Sequence, residues 1–151
     1  LLAQNAGVGG MIGGQVLDLM YEKYQPELNE IITVHKLKTG ALISASCILG
    51  CIAADADDNK IEAASKFAYN LGIAFQIKDD LLDVLGDEKK LGKPIGSDAE
   101  NNKKTYVDIV GIEKAQNDVK MLTNAAIAQL SHFHNSEFIE ELANYLIERE
   151  S

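Results

Sequence analysis

Tryptophan is missing from the 151 residues, proline and cysteine occur twice each, and aromatic residues make up only 6%. With only Pro26 and Pro94 to interrupt it, the backbone is free to run as long helices. Cys47 and Cys51 are too few to build a disulfide scaffold. They stand at i, i+4 in one apolar stretch and read as two buried thiols, since no further Cys or clustered His completes a metal site. Reduced cysteines point to a cytoplasmic location. Basic residues are also scarce, 14 Lys and Arg against 23 Asp and Glu, for a net charge of −9. Without a basic footprint to displace phosphate counterions, nucleic acid is not expected as a partner. No apolar run reaches the roughly 20 residues that cross a bilayer. The longest is Ala41 to Ala54, broken by Ser44 and Ser46, so no membrane span is expected. The opening Leu1-Leu2-Ala3-Gln4-Asn5 carries no charged leader and no Met, and reads as though partway along a helix. An upstream portion is therefore expected to exist.

What is present is ordinary for a soluble globular domain, 46% hydrophobic and 25% charged. Neither Val/Ile/Thr alternation nor Asn-Gly hairpin signals occur, so the expected fold is all-α. A first helix is predicted from Leu1 to about Lys23, with Gly7, Gly10 and Gly14 at i, i+3 and i+7. Each glycine costs about 1 kcal/mol of helix propensity, so the column implies close approach of another backbone or a ligand. It does not fit the G-x-G-x-x-G pattern of dinucleotide loops. A helix with Ile31, Ile32, Val34, His35 and Leu37 should lead to Lys38-Thr39-Gly40, and a buried apolar helix should follow from Ala41 to Ala53. The acidic stretch from Asp55 to Asn59 resembles a calcium loop only superficially, because Lys60 and Lys66 occupy the positions that need Gly and Glu. Asn59 with Glu62 is expected to cap a long helix ending at Leu85, with Gly86 as its stop. A polar loop to about Asn101 follows, carrying Lys89, Lys90 and Lys93. Helices are then predicted around Lys103 to Val110, from Ile112 to Phe133 and from Ser136 to Arg149, the last with Phe138, Leu142, Tyr145 and Leu146 inward.

The chemistry gathers on the long helix. Gln76, Asp79, Asp80 and Asp83 stand at i, i+3, i+4 and i+7, on one face and near a helix C-terminus, where like charges repel and the dipole favours cations. Two readings fit that spacing. One is a solvated acidic face, offset by Lys78, Lys89 and Lys90. The other is a hard divalent cation held by Asp79 and Asp83, which would imply a phosphate-bearing ligand, since Mg²⁺ binds through one or two carboxylates together with substrate phosphates. Lys38, Lys93 and Lys103 or Lys104 are candidate phosphate partners. His132 and His134 are expected at the surface and His35 in the packing. Asp18 fits a structural and a substrate-side role equally.

Five segments, Gly13-Gly14-Gln15-Val16-Leu17-Asp18-Leu19, Lys38-Thr39-Gly40-Ala41-Leu42, Phe75-Gln76-Ile77-Lys78-Asp79-Asp80-Leu81-Leu82-Asp83, Gly92-Lys93-Pro94-Ile95-Gly96-Ser97-Asp98 and Lys103-Lys104-Thr105-Tyr106, resemble in order and spacing the C-terminal half of the trans-isoprenyl diphosphate synthases, the polyprenyl synthetase family. The resemblance implies a helical bundle of the isoprenoid synthase type, with residues 1–151 as the C-terminal portion of a single domain and the first aspartate-rich motif absent. It implies Mg²⁺ bound by Asp79 and Asp83 with Asp80 in support, and an allylic diphosphate contacted by Lys38, Lys93 and Lys103. Thr39 and Gln76 would face the developing allylic cation, with Lys38 completing the catalytic set. The implied reaction is condensation of that allylic diphosphate with isopentenyl diphosphate, giving farnesyl diphosphate, in a homodimer. Without the upstream motif the chain alone is expected to be inactive. Two other readings stay open: a non-catalytic subunit of a heteromeric synthase, and an acidic helical binding module.

Overall fold

The computed structural model describes residues 1–85 and 103–149, and among these there is no strand. In chain order they form α1 (Leu2–Ala6), α2 (Met11–Met20), α3 (Leu28–His35), a π turn (Lys36–Gly40), α4 (Ala41–Ala53), α5 (Asp58–Leu85), α6 (Tyr106–Val110), α7 (Ile112–Ala128), a 3₁₀ turn (Gln129–His132) and α8 (Glu137–Glu148). Among the described residues the expected all-α bundle is what forms; four of the five segments lie on its helices and the stretches between them, and the segment from Gly92 to Asp98 lies outside the described residues.

The central element is α5, 28 residues long. Its start differs slightly from expectation. Asp57, not Asn59, is the cap, its Oδ1 accepting the Lys60 N–H at 3.0 Å. Such a cap contributes about 1 kcal/mol to a helix. Along its middle, α5 buries Ala63, Phe67, Leu71, Ala74 and Ile77, and Ala68, Gly72 and Ile73 on other sides as well. A helix apolar nearly all round belongs inside a bundle. One side packs on Ala115, Val119 and Ala126 of α7, with Leu130, Ala143 and Ile147 extending the same core. The other side meets α4 and the π turn.

Three helix expectations are corrected. The first helix breaks: α1 ends at Ala6 and α2 begins at Met11, because the chain folds so tightly there that a Cβ on Gly10 would overlap the backbone of Asn5. The helix from Ala41 is not buried throughout, with only Ala41 and Ala45 fully inside. Cys47 and Cys51 are free and half-buried. In α8 the inward positions are Ala143 and Ile147, with Leu146 against the core, whereas Phe138, Leu142 and Tyr145 are 70%, 40% and 71% exposed. Ala143 and Ile147, one turn apart, form the inner face, and the two rings lie off it.

The π turn joins α3 directly to α4, so Leu28–Ala53 forms one helical run of 26 residues. The run therefore extends well beyond the segment from Ala41, and by length and composition it is long and apolar enough to cross a bilayer. Here Ile31, Val34, Ala41 and Ala45 face the interior of the bundle.

Candidate active site

Two close backbone contacts set the site. A Cβ on Gly14 would lie 2.3 Å from the Lys38 backbone nitrogen, and one on Gly72 would lie 2.8 Å from the Gly40 Cα. Helix α2 and helix α5 can therefore approach the π turn from two sides only because both positions lack a side chain. Of the glycine column, Gly14 meets another helix, as the propensity argument required. The π turn carries one more residue per turn than the α-helices it joins and re-aims the side chains within it.

Thr39 and Gln76, 37 positions apart, come together at once: Thr39 Oγ1 donates to Gln76 Oε1 at 2.5 Å. Lys38 Nζ reaches Asp18 Oδ2 at 2.5 Å, and Lys103 Nζ reaches Asp18 Oδ1 at 2.7 Å. Asp18 is 6% exposed. Its burial raises the carboxyl pKa, but the hydrogen bonds and charges of Lys103 and Lys38 outweigh this and hold it below the ordinary carboxylate value. Of the lysines expected at a phosphate, Lys38 and Lys103 are thus brought to one point. Lys93, with Lys89 and Lys90, lies outside the described residues.

The three aspartates of α5 meet different environments. Asp79 is partly exposed, and its Oδ1 receives the guanidinium of Arg149 at 2.6 Å. Asp80 Oδ2 accepts the Tyr106 backbone N–H at 2.9 Å and lies 3.6 Å from His35 Nε2, so it fastens α6 to α5. Asp83 is 2% exposed. No group of three His, Cys, Asp or Glu side chains suited to a metal stands among the described residues. Of these three carboxylates Asp79 is the most open to solvent, its side chain 44% exposed against 13% for Asp80, and a partly hydrated carboxylate suits a hard cation with oxygen ligands.

His35 is packed, as expected, and its surroundings go further. Its pKa is lowered to about 4, first by burial and then by the charge of Lys103. Its Nδ1 is buried without a partner. The imidazole is therefore neutral at physiological pH. His132 and His134 are exposed. Asp18, His35, Lys38, Gln76, Asp79, Asp80 and Lys103 all line one cavity of about 220 Å³.

Lys38, Lys103, Gln76 and Asp79 thus share one cavity, and Thr39 is bonded to the Gln76 side chain. The polyprenyl synthetase family profile matches residues 3–146. The chain belongs to the polyprenyl synthetase family. It is 37% identical to farnesyl diphosphate synthase of Haemophilus influenzae, across the whole of this chain and 52% of that protein. Among solved structures, geranylgeranyl pyrophosphate synthetase of Pyrococcus horikoshii aligns with a TM-score of 0.83 at 32% identity, over 93% of this chain and 55% of that one. The geranyltransferase of Helicobacter pylori, solved with magnesium and isoprenyl diphosphate, aligns with a TM-score of 0.78 at 32% identity, over 97% of this chain and 48% of that one. The chain spans about half the length of the curated relatives it matches. Polyprenyl synthetase relatives of this chain carry the names of both farnesyl and geranylgeranyl synthases, so the family fixes a prenyltransferase fold and not a product length.

Two site contacts were not foreseen in the sequence. Asp18 sits one turn beyond Gly14, and that i, i+4 spacing from a glycine in close contact was the signal for it. Arg149 lies 70 positions from Asp79, and no local pattern links them.

Proposed function

We propose that this chain is the C-terminal half of a soluble, cytoplasmic prenyl diphosphate synthase that joins isopentenyl diphosphate to an allylic diphosphate and releases farnesyl diphosphate. The observation that carries the reading is the convergence of Lys38 and Lys103 on the cavity that also holds Thr39's partner Gln76 and the partly exposed Asp79. Two ammoniums beside a carboxylate suit a diphosphate that arrives with a divalent cation.

Asp79 is the first candidate ligand for Mg²⁺, Asp83 stands one turn further on the same helix, and Asp80 supports the geometry by tying α6 in place. Bound Mg²⁺ would neutralise charge on the diphosphate and ease its departure. Lys38 and Lys103 would take up the negative charge that grows on the leaving group. The Thr39 hydroxyl proton is committed to Gln76 Oε1, so Thr39 presents lone pairs rather than a donor, and positive charge on the allylic carbon is favoured beside it. Ile31, Val34 and the buried, neutral His35 give the cavity a lining that holds little water beside the reacting carbon. The exposed apolar side chains Ile12, Val16, Leu19 and Ile52 support an upstream half and a second protomer as further parts of the assembly, and the free thiols of Cys47 and Cys51 agree with a reducing compartment.

The experiment is a turnover assay with isopentenyl and allylic diphosphates, run on the 151-residue chain and on the polypeptide that carries the residues upstream of Leu1. Farnesyl diphosphate is expected from the longer polypeptide with Mg²⁺ and from neither when the metal is chelated. Activity of the short chain alone would overturn the half-site reading, and inactivity of both would overturn the synthase reading.

A further inference from the structure

Asp18 belongs to no aspartate-rich motif, yet it organises the cationic wall of the cavity. It stands on α2 one turn after Gly14, the glycine whose missing side chain lets α2 rest on the π turn at Lys38. That contact delivers a carboxylate, 6% exposed, to a point where each of its oxygens meets a different ammonium: Oδ2 meets Lys38 at 2.5 Å and Oδ1 meets Lys103 at 2.7 Å. The two lysines come from elements 65 positions apart and keep 33% and 26% of their side-chain surface exposed. Both thus reach from solvent to one buried anion.

Two ammoniums brought this close repel each other, and long lysine side chains lose substantial rotamer entropy when fixed. A shared carboxylate between them offsets both costs before any ligand arrives. We propose that Asp18 is a positioning residue that holds Lys38 and Lys103 at a fixed spacing to receive the leaving diphosphate, an inference that rests on the prenyl-transfer reading above. Asp18 does not touch the reacting atoms and is not a metal ligand, because both of its oxygens already carry ammoniums. Its action is on the transition state. The charge on the departing group grows as the allylic bond breaks, and donors already in place need no reorganisation at that moment. Ground-state affinity is less sensitive, because removing a buried anion beside a polyanion favours binding while loosening the lysines disfavours it.

The test has two arms. In the first, lysine side-chain ammonium signals are recorded by ¹⁵N NMR on the free protein, with Lys38→Met and Lys103→Met assigning them. Both protected signals are expected in the wild type and both should vanish in Asp18→Asn, which keeps the side-chain shape. Survival of both signals in that variant overturns the proposal. In the second arm, Asp18→Asn in the polypeptide carrying the upstream half should lower kcat by about 10- to 100-fold, the scale of a misplacement near 1 Å. KM for the allylic diphosphate should stay within about threefold; lost folded protein would also lower apparent kcat at unchanged KM, so kcat is referred to the folded fraction measured by circular dichroism, and a loss no larger than the unfolded fraction overturns the proposal. In a Lys38→Met, Lys103→Met background the same substitution should change kcat by less than about twofold, since its partners are gone. An undiminished effect in that background overturns the proposal, and so does wild-type kcat in the single variant. Inactivity of the wild type would strike the prenyl-transfer reading instead, and the NMR arm then decides the role of Asp18 by itself.

Discussion

Arg149, just past the end of α8, donates from its guanidinium to Asp79 Oδ1 across 2.6 Å, and its guanidinium carbon lies 4.1 Å from the centre of the Phe75 ring. The last helix is thereby fastened to α5 at the one aspartate of the motif that is substantially open to solvent. A cation arriving at Asp79 has to displace that guanidinium or share the carboxylate with it.

Replacing Arg149 by Ala should therefore tighten Mg²⁺ binding in the presence of inorganic pyrophosphate by about three- to tenfold, because a competing positive charge is removed from the ligand oxygen. Titration calorimetry measures it. Stability should fall by only about 1 kcal/mol, the scale of a partly exposed ion pair and one cation–π contact. Weaker metal binding in the variant would show that the arginine helps rather than competes.

Asp79 and Asp80 are neighbours with different work, and their alanine variants should separate. Asp79→Ala should cut kcat by about 100-fold or more in the polypeptide carrying the upstream half, the cost of losing a group that stabilises transition-state charge, with little change in melting temperature. Asp80→Ala leaves the Tyr106 N–H without its acceptor, and about 1–3 kcal/mol of stability should go with it. Parallel thermal melts and turnover assays make the comparison, and equal stability losses for the two variants would count against this division.

Gly14→Ala should be among the most damaging substitutions in the chain. The added methyl would fall 2.3 Å from the backbone nitrogen of Lys38, where no flexible side chain can give way. A loss of about 2–4 kcal/mol in urea unfolding is expected from forced overpacking. The same change at Gly50, whose Cβ would meet nothing within 4 Å, should be neutral or slightly stabilising.

Stability should also fall in mild acid. His35 titrates at about 4 in the folded chain against 6.5 for a free imidazole, chiefly because it is buried. Between those values the unfolded state binds the proton and the folded state does not, so stability rises with pH across this window and is lost as pH falls. The loss by pH 4.5 should be on the order of 2–3 kcal/mol. His35→Gln should flatten the pH profile of denaturant midpoints over that range. Asp18, whose folded pKa lies below its unfolded value, contributes stability present above about pH 4 and lost as pH falls further, through its folded pKa.

The sequence speaks most clearly where structure is local. The long helix and the shared face of Gln76 and Asp79 follow from periodicity alone, and Gly14 announced a close approach by its cost in a helix. What stayed hidden depends on distant partners. The π turn packs against both α2 and α5, elements that lie on either side of it in the chain, and no periodic pattern within Lys36–Gly40 marks it. The inward face of α8 was misjudged because large apolar side chains were taken as the buried ones, whereas the gap beside α5 and α7 admits Ala143 and Ile147. Asp80 was expected only to support Asp79 and Asp83, and spacing could not say how, because it describes a face and not a partner; the Tyr106 N–H that claims it comes from 26 positions downstream.

The π turn also gives this scaffold an unequal tolerance to changes in chain length. Losing one residue from within an α-helix rotates everything beyond it by about 100°, which in α3 or α4 would turn Ile31 and Val34 against Ala41 and Ala45. A π turn already holds one residue more than the regular helix on either side. A single deletion there could be absorbed as ordinary α-helix, with both flanking faces kept in phase. Lys38 and Thr39 would be re-aimed, so the segment lets these two cavity-side residues be redirected while the core around them stays as it is.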